Sequence, residues 1–157
     1  MSADLVAFFR ARLDEDERIA RDAFAAPWLR HDHVAGVHAD DAAEGRPYGT
    51  AVADCRRVPD GYGVPNALHI ARHQPARVLA EVEVKRRIAA DYAAVLEARE
   101  GIKSQMSLAL REDPDEFGRL HQRESEFIRQ LRIMGPVICL LALPYADHPD
   151  YREEWRP

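Results

Sequence analysis

Residues 66–96, NALHIARHQPARVLAEVEVKRRIAADYAAVL, set where the principal helix begins and which side of it is buried. From Pro75 onward, Val78, Val82, Lys85, Ala89, Tyr92 and Leu96 follow at alternating intervals of four and three, which places them on one face of an α-helix. Leu79, Ile88 and Val95 widen that face, and Glu83 with Arg87 and Glu81 with Lys85 supply acid-before-base pairs on the wet side. Pro75 suits a first helical turn, because its missing N–H would have had no intrahelical partner there, and it biases Gln74 away from helical geometry. A short helix over 65–73 therefore ends at this break, and a long one starts at 75 and runs to about 98, or to 112 if Gly101 does not end it.

Working outward, the 157 residues and 46% hydrophobic content suit one domain over 1–157 with a core of its own. With 22 basic against 27 acidic residues, the formal charge of −5 argues against a surface devoted to nucleic acid or anionic lipid. The two cysteines, Cys55 and Cys139, have no C-x-x-C beside them, so neither a zinc ribbon nor a disulfide framework is expected and a reducing cytoplasm fits. The apolar LVAFF run turns acidic at once, and the apolar run 137–143 is far short of a membrane span, so no membrane partner is expected.

A first helix over 2–25 has Ser2 as N-cap, Leu5, Phe8, Phe9, Leu13, Ala20 and Ala23 on its apolar side, and Pro27 beyond its end. Periodicity is lost over 28–58, where two arms, 28–37 and 48–58, flank a Gly- and Pro-containing stretch and predict a β-hairpin with a long loop. Asp113, Pro114 and Glu116 combine an N-cap, a first-turn proline and a capping-box acid, which opens a helix over 114–143. Along it Phe117, Leu120, Glu124, Phe127, Leu131, Met134, Ile138 and Leu141 form a heptad seam, with a kink expected at Gly135 and Pro136. Lys85 and Glu124 fall inside apolar seams and could pair only if the chain left its helix near Gly101. The tail, 144–157, carries Tyr151 and Trp155 four apart and should be docked. The fold class is α+β and mainly α: a helical bundle dominated by a long antiparallel helical hairpin, with a small β-hairpin on one side.

Three sets of residues carry chemistry. His31 and His33 are two apart, and His69 and His73 four apart, spacings that put each pair on one face and could let four imidazoles hold zinc. No H-E-x-x-H accompanies them, and His69 or His73 as a cap or partly buried hydrogen-bonding group at the helix end reads the second pair better. Arg72, Arg77, Arg86 and Arg87 could face phosphate or nucleic acid. The seam residues Phe117, Leu120, Phe127, Leu131, Met134, Ile138 and Leu141 could meet a protein partner or a second copy. Cys139, in an apolar run, reads as a core residue, and no catalytic signature or phosphate loop is present.

Residues 69–88, HIARHQPARVLAEVEVKRRI, and 140–157, LLALPYADHPDYREEWRP, with LVAFFRARLDEDE at 5–17, resemble the Streptomyces-type actinobacterial family DUF6221. The resemblance covers about a third of the residues from end to end. It implies that the whole chain is one family domain and brings no activity with it. Many relatives carry, between the segments matching 69–88 and 140–157, a cysteine and histidine cluster that resembles a small zinc knuckle, whereas 89–137 holds no cysteine here and a helical insert, 91–134, takes its place. Relatives also tend to carry Asp at the position of Gln74, a better cap, which implies a looser helix start in this chain. The expected function is a non-enzymatic interaction or accessory domain in the cytoplasm, without cofactor. Its rivals are a histidine metal protein or metal-dependent enzyme and a nucleic-acid-associated accessory protein.

Overall fold

The computed structural model describes residues 3–31, 35–59 and 61–157. The expected cap Ser2 and the candidate ligand His33 lie outside these residues. The elements run α1 (Ala3–Asp22), β1 (Trp28–Leu29), β2 (Gly36–Ala39), β3 (Ala51–Asp54), α2 (Gly63–Arg72), α3 (Pro75–Glu112) and α4 (Pro114–Ala142). Two short 3-10 turns, Leu143–Tyr145 and Glu153–Trp155, complete the chain. The architecture is α+β and mainly α, as the periodicities imply. The chain divides into two compact units, Asp14–Glu83 and Met1–Leu13 with Val84–Pro157, and both α1 and α3 contribute to each.

In the unit Asp14–Glu83 the strands form one antiparallel sheet in the order β1-β2-β3. The expected hairpin is β2 with β3, and the first arm supplies a third strand besides. That arm folds back on itself, so that Trp28 pairs with Ala39 and Leu29 with His38. The reason lies in burial: apolar residues at both ends of that arm need the same helix. Val37, Cys55 and Ala67 are buried together, and Trp28, Val52, Ala53, Ile70 and Ala71 pack against them, which seats the sheet on α2. Folding back brings both Trp28 and Val37 to α2, whereas a continuous ten-residue arm would carry one of them away. A bulge between Val37 and His38 shifts the register of β2 on β3.

The connection from β2 to β3 is closed by its own polar groups. The Asp41 carboxylate accepts both the Thr50 amide at 2.6 Å and the Thr50 hydroxyl at 2.6 Å, and Ala43 and Arg46 form an isolated bridge. Gly49 has φ of 79°, and a Cβ there would stand 2.0 Å from the Ala39 carbonyl oxygen, so this turn excludes other residues.

In the unit built on Met1–Leu13 and Val84–Pro157, Leu5, Phe9 and Leu13 of α1, Ala89 and Tyr92 of α3, and Ile138 and Ala142 of α4 are all buried. α3 runs unbroken through Gly101 to Glu112, which answers the open question about its length. Asp113 alone separates α3 from α4, and its carboxylate accepts the amides of Asp115 and Glu116 at 3.0 Å each. That is the cap the sequence announces. Ile102 and Ala109 of α3 are buried with Leu120 of α4, and Met106, Phe117 and Phe127 pack on them, which closes the expected helical hairpin.

Because α3 continues past Gly101, the Lys85–Glu124 pair does not form. Glu124 takes Arg99 at 3.3 Å, across the hairpin, and Lys85 is half-buried. α4 stays helical through Gly135 and Pro136. The tail is docked: Trp155 is buried, with its ring 5.1 Å from Phe8 of α1, Tyr151 is 5.7 Å from the same ring, and Arg152 reaches Asp4 at 2.9 Å. The final turn falls at Glu153–Trp155.

Candidate functional site

The histidines separate into two local groups. At the end of α2, the His73 amide donates to the carbonyls of His69 and Ile70, and its ring Nδ1 lies 2.8 Å from the His69 carbonyl oxygen. The two rings sit 4.3 Å apart. His73 thus works as a helix cap, the role that needs least from its surroundings. In the sheet, His31 is 5.9 Å from His38 and 5.2 Å from Tyr48, ring to ring. His38 was not among the expected ligands. Its signal was the spacing across a strand pair, which requires the register of β1 on β2 to be known first. Among the described residues, no three of His, Cys, Asp and Glu are grouped so as to hold a metal ion.

Tyr48 lies in the loop that Asp41 closes through Thr50. Hydrogen bonds from the Thr50 hydroxyl and amide, with Arg46 nearby, hold the Asp41 carboxyl below the usual range. Asp54 on β3 is held well below that range by the Arg56 side chain, which meets it in two bonds of 2.8 Å. A cleft of about 280 Å³ lies among His38, Tyr48, Ala51, Asp54 and Arg56. Its charges are already matched, since Arg56 and Asp54 satisfy each other.

Arg77 is paired with Glu81 at 2.8 Å, one turn along α3, and Arg72 is exposed at the end of α2. These two belong to the unit Asp14–Glu83; Arg86 and Arg87 belong to the other.

Both cysteines are buried and neither is in a disulfide. Burial raises the Cys139 thiol above its ordinary value, which opposes a nucleophilic role and fits a small core residue.

The predicted seam of α4 is occupied within the chain. Leu120 and Ile138 are buried, and Phe117 and Phe127 pack on α3. The surface left open is the other side of the helix, where Ile133 is 72%, Leu140 55% and Val137 41% exposed. Their spacing of four and three puts them on one face, and Pro136, Leu143 and Pro144, also exposed, extend it. Sequence reading missed this row because Ile133, Val137 and Leu140 continue the apolar composition of the buried face, and composition alone does not say which of two apolar faces is covered. With its 3-10 extension, the segment Pro114–Tyr145 is long and apolar enough to cross a membrane by length and composition, and 22% of its apolar window is buried.

No curated protein and no solved structure matches the chain. The model of a family of unknown function does match, over residues 2–157, and the chain therefore belongs to that family, DUF6221.

Proposed function

We propose that the chain is a non-enzymatic interaction domain that docks a protein partner on the outer face of α4. The observation that carries this reading is the exposure of Ile133, Val137 and Leu140 on one side of a helix whose other side is spent on the core. A contiguous apolar patch of this kind on a globular protein marks a surface that something else covers. A membrane span is the weaker alternative, because Arg129 and Arg132 would have to enter the hydrocarbon with the apolar half of α4. The protein acts in the cytoplasm in this reading, needs no cofactor, and comes from an actinobacterium, as the sequence resemblance implies.

The test is photo-crosslinking in cells with benzoylphenylalanine at position 133, using position 122 on the polar half of the same helix as control. A discrete adduct from 133 and none from 122 is the expected result. Equal, diffuse labelling from both positions overturns the reading.

A further inference from the structure

We infer that the occupant of this face is a second copy of the chain, with the two α4 helices antiparallel about a two-fold axis beside Val137 and Leu140. The inference rests on the reading of the outer face as a docking surface. The exposed row from Ile133 to Pro144 covers eleven steps of chain, about 16 Å at helical rise. Weighted by the exposures of its residues it presents on the order of 500 Å² per copy, so a pair removes on the order of 1,000 Å², the lower limit for a specific interface.

Charge decides both the orientation and the occupant. On the N-terminal side of the row, Arg129 and Arg132 are exposed and have no ion-pair partner among the described residues. On its C-terminal side stand the exposed acids Asp147, Asp150, Glu153 and Glu154. Asp150 is 3.9 Å from His148, Glu153 meets Arg156 and Glu154 lies near Arg152, while Asp147 has no partner among the described residues. When Val137 of one copy faces Leu140 of the other, Ile133 faces Pro144 and Arg129 comes beside Asp147. The two-fold repeats each contact, so one match is made twice. A parallel pairing would set arginine against arginine and acid against acid, which costs affinity.

The experiment is sedimentation equilibrium of the intact chain from about 1 to about 200 µM. A reversible dimer dissociating in the tens of micromolar, on the order expected for so small an interface, is the expected result. Arg129→Asp and Asp147→Arg should each weaken it about tenfold, and the double exchange should return it to within about threefold of the parent. Restoration by the double exchange is a readout that misfolding cannot imitate; Ile133→Asp should leave only monomer. A dimer indifferent to both single exchanges overturns the antiparallel arrangement. A chain monomeric at the highest concentration overturns self-association. In that case, an adduct at position 133 of mass other than twice the chain leaves the docking surface standing with a different protein on it, and the absence of any adduct removes both. Co-sedimentation with phosphatidylcholine–phosphatidylglycerol vesicles by a monomeric chain also overturns self-association.

Discussion

At the residue scale, Gln74 shows how a poor cap can be the right side chain. Its Oε1 accepts the Trp28 amide at 3.2 Å, tying the first residue of β1 to the start of α3, while its carbonyl takes the amides of Arg77 and Val78. An aspartate here would cap the helix by bonding locally, with a side chain one methylene shorter. The substitution Gln74→Ala should cost about 1 kcal/mol in urea unfolding and speed hydrogen exchange at the Trp28 amide while leaving the amides of α4 unchanged. Asp41 gives a pH dependence whose sign follows from its lowered folded pKa. Its contribution to holding the 41–50 loop is complete above the ordinary aspartate value of about 3.9 and is lost as pH falls through the lower folded value. The Thr50 amide and its neighbour Gly49 should shift in an NMR acid titration with a midpoint below that of an ordinary aspartate. His73, Asp113 and Cys139 could be read from sequence because capping and core roles depend on neighbours along the chain. Glu124 could not, because its partner Arg99 lies across the hairpin.

At the element scale, what could be read followed the length of the periodic signal. α3 and α4 start where Pro75 and the Asp113–Pro114 pair place them, since cap and proline chemistry act within one turn. Gly101 left the end of α3 open in the sequence, and the helix runs through it. A glycine weakens a helix by roughly 1 kcal/mol, which packing of Ile102 and Ala109 against α4 readily exceeds. A Cβ added at Gly101 would have nothing within 4 Å, and its φ is not positive. Gly101→Ala should therefore stabilise the protein by about 0.5–1 kcal/mol, seen as a higher urea midpoint at unchanged slope. The strands could not be bounded, because two- and four-residue strands offer too few alternations and because the first arm's fold-back is set by the position of α2.

At the scale of the whole molecule, a formal charge of −5 opposes general retention on a polyanion, and Arg77 is paired with Glu81. The intact chain should pass through a DNA-cellulose column at about 50 mM salt, where a phosphate-binding protein would be retained and then eluted by salt. The two compact units each take a part of α1 and of α3, so unit boundaries fall inside helices, where no linker composition could have announced them. The sequence by itself determined the helices, the Asp113 cap of α4, the hairpin of α3 and α4 and the docked tail, because these follow from periodicity and from bonds made within a few residues. Only the tertiary structure decided that the first arm makes two strands, that Glu124 takes Arg99, and that α4 turns its heptad seam inward and leaves Ile133, Val137 and Leu140 outside. Two apolar faces on one helix look alike in sequence; which one loses its water depends on what packs beside it.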